Sequence, residues 1–257
     1  MDLSWIGFSF VDELTSLLRV PHRNGGINIP PGRRAAVKDM VEACGVPHTE
    51  VGEIFLGNTP IGFDYIPSPG DCIRVAGLTP PVDVTRPTLL RPDAFDAVRF
   101  VVDANVGKLA SLLRMLGVDT CYRNGIEDAE IAEAAERESR IVLTKDIALL
   151  KRKRIVFGRL VRERLPDRQL VEVVRFFGLT GPFTLFSRCL LCNTMLEAVD
   201  KADILHRLEP KTTKYYHRFT CCPDCDRIYW QGSHHDEMAA RLRALGIPLA
   251  DHIGDPA

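Results

Sequence analysis

The chain has 257 residues, of which 46% are hydrophobic and 26% are charged, and its formal net charge is -1. This composition is typical of a soluble globular protein, and the near-zero charge means that nucleic acid can be attracted only through local basic patches. No segment approaches the ~18 apolar residues of a membrane span, and the N-terminus lacks the features of a signal peptide. We therefore expect a cytoplasmic location, no membrane association, and reduced thiols at the eight cysteines.

Residues 1–78 predict a small α/β domain. GINI predicts a strand, and Val37, Met40, Val41 and Cys44 recur at helical spacing before a terminating glycine. EIFLGNTPIGFDY predicts a hairpin around Gly57-Asn58, and DCIRVAGL a last strand. This succession resembles the β-grasp fold of ubiquitin and of the small sulfur carriers. Those carriers act through a free C-terminal Gly-Gly, whereas Leu78 and further sequence follow Gly77, so docking to a protein partner or stabilisation of the chain is the expected role.

Residues 79–96 predict a linker, because four prolines interrupt any regular element there: Pro80, Pro81, Pro87 and Pro92. From about residue 97, short apolar runs alternate with helical patterns. Strands are predicted at AVRFVV, around Cys121 and at Ile141–Thr144, with helices between them. This β-α-β-α-β succession predicts a parallel sheet in an α/β domain.

Three aspartates follow the predicted strands. Asp103 comes directly after the first strand, Asp128 lies at the junction before the second helix, and Asp146 follows the third strand. Because the carboxyl ends of parallel strands share one edge, we expect the three carboxylates to converge there. Mg²⁺ or Mn²⁺ is the natural ligand of such a cluster and can activate water against a phosphodiester. The alternative is that Asp128 is a helix cap and Asp146 a turn residue.

A strongly basic stretch, residues 151–164, follows Asp146. It contains seven basic residues against one glutamate, a local charge of +6: Lys151, Arg152, Lys153, Arg154, Arg159, Arg162 and Arg164 against Glu163. RNA phosphates are the expected partner of this stretch and of Lys145, with the later cysteine-rich segment as a second wall of the path. The alternative is a solvated surface.

The last block, residues 181–257, contains two CxxC pairs. Cys189 with Cys192 and Cys222 with Cys225 predict one zinc ion held by four thiolates, which leaves no position for water and is therefore structural. Cys221 breaks the spacing and is expected to be spare, His234 and His235 are unnecessary as ligands, and Cys44, Cys72 and Cys121 are expected to be core residues. Tyr229 and Trp230 are either packing residues or a stacking surface for unpaired RNA bases, with Arg218 beside them.

Three motifs, FVVDANVGKLASLLRMLGVDT, ERESRIVLTKD and CPDCDRIYWQGSHHDEM, resemble those of the Mut-seven C-terminal domain family, a PIN-like ribonuclease group. The resemblance covers about residues 99–238. It implies a PIN-like α/β domain over 97–180 and a zinc ribbon with a C-terminal helix over 181–257, often preceded by a β-grasp domain. It also implies acidic-site positions for Asp103, Asp128 and Asp146, with Glu127 and Glu130 as neighbours that could assist.

We therefore expect an α/β protein with a β-grasp domain, a PIN-like parallel-sheet domain and a zinc ribbon. The expected function is RNA hydrolysis or processing that depends on Mg²⁺ or Mn²⁺. Two alternatives are a non-catalytic RNA-binding or regulatory module, and an adaptor that docks the nuclease block onto another protein through the β-grasp domain.

Overall fold

The computed structural model describes residues 5–19, 22, 24–30 and 34–250. The described residues form sheets of five, four and three strands in chain order, each with its own connecting helices. This is the expected architecture: an N-terminal ubiquitin-like domain, an α/β domain with a parallel sheet, and a C-terminal unit carrying clustered cysteines. Among the described residues, no helix has the length and apolar character needed to cross a bilayer.

The ubiquitin-like domain consists of β1 (Ile6–Phe10), β2 (Gly26–Ile29), α1 (Val37–Cys44), β3 (Val51–Leu56), β4 (Thr59–Pro60) and β5 (Cys72–Gly77). The strand order is β2-β1-β5-β3-β4, with β1 parallel to β5 and the other pairs antiparallel. The predicted helix and the hairpin at Gly57-Asn58 are confirmed, and Gly57 adopts the positive φ that the turn requires. Strand β1 was not predicted. Its alternating residues Ile6, Phe8 and Phe10 face the core.

The segment from Leu78 to the start of the next sheet contains no helix or strand, yet it is packed. Val84, Leu90 and Phe95 are buried, and the Arg91 guanidinium lies 4.5 Å from the centre of the Phe157 ring. The same guanidinium donates hydrogen bonds to three carbonyls of the ubiquitin-like domain, those of His48, Thr49 and Val51. The predicted linker is therefore an ordered connection that contacts both neighbouring domains.

The second domain consists of β6 (Phe100–Val102), α2 (Gly107–Met115), β7 (Thr120–Cys121), α3 (Asp128–Arg137), β8 (Ile141–Thr144), α4 (Ile147–Leu150), β9 (Gly158–Leu160) and α5 (Pro166–Phe176). All pairs in the order β7-β6-β8-β9 are parallel, which confirms the predicted sheet. Strand β6 is apolar along its whole length, and β8 is apolar up to Thr144, as expected for central strands of a parallel sheet that are buried on both faces. Strand β9 lies inside the basic stretch and was not predicted.

The third unit consists of β10 (Glu197–Val199), α6 (Lys201–Ile204), α7 (Pro210–Tyr215), β11 (Phe219–Cys221), β12 (Ile228–Trp230) and α8 (Ser233–Ala244). Its antiparallel order is β10-β11-β12. Ala239 and Leu242 of α8 belong to the same buried cluster as α2 and α5. The unit is therefore packed onto the second domain through a shared core.

A buried ion pair joins the first two domains. Glu50, 2% exposed, precedes β3, and Arg159, 5% exposed, lies in β9. One carboxylate oxygen of Glu50 accepts a hydrogen bond from the Arg159 guanidinium at 2.7 Å, and the other accepts from the backbone N–H of Leu160 at 2.8 Å. Arg159 also stacks over the Phe176 ring, 4.0 Å from its centre. Burial raises the pKa of Glu50, and the positive charge of Arg159 opposes that rise.

We expect Arg159→Ala to lower the free energy of unfolding by about 3–5 kcal/mol, because it leaves the Glu50 carboxylate buried without its partner. The measurement is urea denaturation of the full chain. The matched control is Arg154→Ala, which removes a half-exposed pair with Glu136 and should cost under about 1 kcal/mol.

Equal losses in the two variants would contradict the importance of the buried pair. The double variant Arg159→Met with Glu50→Leu should recover part of the loss, because no charge then remains buried.

Candidate functional site

Asp103 is held at the carboxyl end of β6 by two neutral side chains. It is 8% exposed, and its Oδ2 accepts hydrogen bonds from the Thr144 hydroxyl and the Asn105 amide, both at 2.5 Å. Within the described residues, Asp103 forms no ion pair. A buried carboxylate without a neighbouring positive charge is costly unless a cation compensates it. The environment therefore fits a bound divalent cation.

Thr144 links Asp103 to Asp146. The Thr144 hydroxyl, at the end of β8, donates to Asp103 and accepts from the backbone N–H of Asp146 at 2.8 Å. Asp146 caps α4 by accepting from the Ala148 N–H through Oδ1. Asp146 is therefore a turn residue, as the alternative interpretation of the sequence has it, and it is also a neighbour of Asp103 through Thr144. The adjacent parallel strands β6 and β8 bring these two aspartates to one edge.

Asp128 occupies a different environment. It is the first residue of α3, is 44% exposed, and pairs with Arg152 at 3.1 Å. A compact metal site would bring at least three potential ligand atoms within 4.8 Å of one another. Among the described residues, Asp103, Asp128 and Asp146 do not form such a group. The neighbours Glu127 and Glu130 form the reciprocal capping box of α3, and Glu130 also binds Arg123. Their carboxylates are therefore engaged in hydrogen bonds at the start of α3.

The four CxxC cysteines come together as predicted. The Sγ atoms of Cys189, Cys192, Cys222 and Cys225 all lie within 4.8 Å of one another, and those of Cys189 and Cys225 are 3.5 Å apart. Tetrahedral Zn–S bonds of about 2.3 Å separate the sulfurs by roughly 3.8 Å, so the spacing and the soft donors fit zinc.

The residue after each CxxC shapes its knuckle. Asn193 and Asp226 both adopt left-handed φ angles, of 71° and 61°. This conformation lets their N–H groups return to the carbonyls of Cys189 and Cys222, each at 2.9 Å. Asparagine and aspartate tolerate it better than most residues. The fifth cysteine, Cys221, lies outside the cluster and contacts the Asp226 carboxylate at 3.4 Å.

Tyr229 contacts Cys189, one of the four clustered cysteines. Its hydroxyl lies 3.3 Å from Cys189 Sγ and accepts a hydrogen bond from the Leu190 N–H at 3.1 Å. Burial raises the pKa of the Cys189 thiol, but hydrogen bonds from Tyr229 and from the N–H groups of Cys192 and Leu191 outweigh it and lower the pKa to about 6. A thiolate is the form that binds metal. The sequence analysis treated Tyr229 as a packing or stacking residue and missed this role.

Arg114 fixes the first knuckle to the parallel sheet. This cation is 3% exposed and donates to carbonyls on both sides, those of Thr120, Tyr122, Leu190 and Leu191. The side chain of Asn193 also pairs with the Thr120 N–H at the start of β7. The first knuckle therefore packs at the amino end of β7, whereas Asp103 follows the carboxyl end of β6. The expectation that the ribbon forms a second wall of the acidic edge stays a prediction.

Most cations of the basic stretch have protein partners. Lys151 donates to the Glu42 carbonyl, Arg152 pairs with Asp128, and Arg154 pairs with Glu136. Arg159 and Arg162 both pair with the acids of the ubiquitin-like domain, Glu13 and Glu50. Lys145, beside the acidic edge, donates to the Glu163 carbonyl at 2.7 Å. Much of the +6 charge is thus used in contacts within the chain.

We expect the purified protein to contain one zinc ion, which Cys222→Ser loses and Cys221→Ser retains. Of these two cysteines, Cys222 belongs to the thiolate cluster and Cys221 does not. Loss of one of the four ligands leaves the coordination shell of zinc incomplete. Metal analysis by mass spectrometry provides the measurement. Loss of zinc in both variants would refute the assignment of Cys221 as spare.

Tyr229→Phe should weaken zinc affinity by about 10–100-fold, because it removes the hydrogen bond that favours the Cys189 thiolate. Competition with a chromogenic chelator measures this change. Tyr215→Phe, at a 63% exposed tyrosine of the same unit, is the control and should leave the affinity unchanged. An unchanged affinity in Tyr229→Phe would show that the hydroxyl has no part in metal binding.

Comparison with known families agrees with this architecture. Residues 98–242 match the model of the Mut7-C RNAse domain, and residues 3–83 match that of the Mut7-C ubiquitin domain. A search of curated proteins and a search of solved structures each returned no match. The first match covers more than half of the chain and includes both the parallel sheet and the cysteine cluster. The chain belongs to the Mut7-C RNAse domain family.

Proposed function

We propose that the protein is a ribonuclease that cleaves or processes RNA at the edge carrying Asp103 and Asp146, with Mg²⁺ or Mn²⁺ as cofactor. The observation that carries the proposal is the buried Asp103 carboxylate, which has only neutral hydrogen-bond partners, in a chain of the Mut7-C RNAse family. Hydrolase activity, RNA binding and a cytoplasmic location are parts of this proposal.

Asp103 and Asp146 would supply the oxygen ligands of the cation, and Asp128 would join them once its carboxylate leaves Arg152. When bound, the cation supplies a Lewis acid that activates water and stabilises charge on the phosphodiester. Thr144 and Asn105 keep the second oxygen of Asp103 engaged, so that Oδ1 remains directed away from them. Asn105 Oδ1 also accepts from the Lys145 N–H and thereby fixes the turn after β8.

Lys145 precedes Asp146 at this edge of the fold, and its ammonium donates to the Glu163 carbonyl, a partner that it would exchange for a phosphate. We propose that it contacts a phosphate of the substrate, together with Lys153 of the neighbouring turn. Lys151, Arg152 and Arg154 would contribute to RNA binding only by exchanging their present partners, Glu42, Asp128 and Glu136. Arg218, Tyr229 and Trp230 belong to a separate surface on the zinc ribbon.

A non-catalytic RNA-binding or regulatory module is the second candidate. It is favoured by the ion pair between Asp128 and Arg152, which occupies one of the three expected metal-binding carboxylates. The ubiquitin-like domain could also dock a protein partner through the surface that faces away from Glu50. Its surface around Glu50 is already buried against the nuclease domain.

Asp103→Asn should abolish Mn²⁺-dependent cleavage of single-stranded RNA while leaving the zinc content unchanged, because the amide can no longer balance a divalent cation. Asp146→Asn should lower the rate by at least about 100-fold for the same reason. The control is Asp93→Asn, at an exposed aspartate of the connecting segment. Cleavage is followed by gel electrophoresis of labelled RNA.

Cation binding is measured separately, from the Mn²⁺ electron paramagnetic resonance signal of the free ion. Mn²⁺ binding without cleavage in the native chain would select the non-catalytic module. Cleavage that persists in Asp103→Asn would refute the proposed site.

A further inference from the structure

The zinc ribbon contains a cavity of about 550 Å³ that no part of the proposed site uses. Its walls combine the rings of Phe186, Phe219, Tyr229 and Trp230 with the hydroxyls of Ser187 and Thr220. Cavities of 300–1,000 Å³ with apolar walls and a few polar groups are typical ligand sites. Flat aromatic rings beside hydroxyl groups suit a planar heterocycle that also forms hydrogen bonds.

A second cavity, of about 430 Å³, adjoins the first. Phe186, Tyr229 and Trp230 line both cavities. Trp230 is 41% exposed and leans on Phe219, with 6.3 Å between the ring centres. One aromatic side chain shared by two neighbouring cavities is an arrangement that can separate two successive bases of a strand.

Phe186 reaches these cavities from a strained backbone. Its φ of 52° is unusual for a bulky residue, and its N–H group is bound to the Met115 carbonyl at 2.9 Å. Such strain persists only where the surrounding structure imposes it, and it clusters at binding sites. The ring packs 5.3 Å from His235 and 6.4 Å from Tyr229, centre to centre.

Charged residues of both signs line the first cavity: Asp200, Lys201 and Arg218. Residues 210–223 contain Lys211, Lys214 and Arg218 and no acidic residue. Among the described residues, Lys211 and Lys214 form no ion pair, and Lys214 lies 5.3 Å above the Tyr215 ring. The basic stretch 151–164 differs, because most of its cations already bind the acids of this chain. Lys211 and Lys214 are therefore the ribbon cations that we assign to phosphates.

We propose that the two ribbon cavities bind consecutive unpaired bases of an RNA strand, with Trp230 stacked between them and Lys211, Lys214 and Arg218 on the strand's phosphates. This inference rests on the proposed action on RNA and assigns the surface that holds the strand. Carboxylates at the acidic edge repel RNA, so a holding surface at a distance from Asp103 retains the substrate without competing for the cation.

Trp230 itself provides the probe. The chain has two tryptophans, so in a Trp5→Phe background the fluorescence comes from Trp230 alone. Asp103→Asn is added to prevent cleavage. We expect an oligouridylate octamer to quench this fluorescence, and an abasic ribose-phosphate strand of the same length to bind more weakly and to leave it unchanged.

Affinity is measured independently by the anisotropy of a labelled octamer. Trp230→Ala should weaken binding roughly 5- to 150-fold, the range expected for one lost stacking contact, and Trp230→Phe should restore most of it. Lys211→Ala with Lys214→Ala should reduce the log–log salt slope by roughly 0.7 per lost phosphate contact. Arg86→Ala, which removes an exposed cation of the connecting segment, should leave the Trp230 signal unchanged. Zinc content and circular dichroism confirm that each variant is folded.

Two outcomes overturn the proposal in distinguishable ways. If the octamer binds and the native chain cleaves RNA, but Trp230 neither responds nor matters for affinity, the ribbon cavities are not the holding surface and the nuclease function stands. If the native chain neither binds nor cleaves RNA, both the proposed function and this inference fail.

Discussion

The ion pair between Glu50 and Arg159 is the interaction on which the arrangement of the molecule depends. It places a carboxylate of the ubiquitin-like domain at the outer strand of the parallel sheet, where it also binds the Leu160 N–H. An unpaired charge in this position would be costly, and the groups that compensate Glu50 there, the Arg159 guanidinium and the Leu160 N–H, belong to the other domain. The ubiquitin-like domain is therefore an integral part of the folded chain, and the connecting segment with Arg91 reinforces the same contact with the Mut7-C RNAse domain.

The contact between the two domains gives the basic stretch a role other than the one predicted. From the sequence alone, its local charge of +6 predicts an RNA-binding surface. In the fold, the acids of the ubiquitin-like domain neutralise Arg159 and Arg162, and helix α3 neutralises Arg152 and Arg154. The charge serves mainly to hold elements together. Lys211 and Lys214 of the ribbon, in contrast, form no ion pair among the described residues.

Local patterns predicted the parts of the structure that local physics determines. The alternation of apolar strands with helices predicted the parallel sheet, and it placed Asp103 and Asp146 at one edge because β6 and β8 are neighbours. The CxxC spacing predicted the thiolate cluster because two sulfurs three residues apart can turn toward one ion. The position of Asp128 was harder to predict, since its ion pair with Arg152 depends on how α3 and α4 pack.

Contacts between residues far apart in the sequence could not be predicted from local patterns. Glu50 and Arg159 are separated by more than a hundred residues, and each looks like an ordinary surface charge in its own segment. Arg114 likewise looks like a surface residue of an amphipathic helix, yet it binds four carbonyls under the first zinc knuckle. Tyr229 follows a CxxC pair closely enough to suggest packing, but only the paired strands β11 and β12 bring its hydroxyl to Cys189.

The cysteine cluster and the proposed carboxylate site differ in donor chemistry and in position, and this difference separates the roles that we propose for them. The thiolates of the ribbon are soft donors at the amino end of β7, where Arg114 binds the knuckle to the sheet. The carboxylates are hard donors at the carboxyl ends of β6 and β8, and a three-residue strand such as β6 spans roughly 10 Å. A metal in the ribbon would therefore shape the proposed RNA-holding surface without taking part in the chemistry proposed at Asp103. The sheet between them is buried and apolar, so it fixes the distance between the two proposed sites.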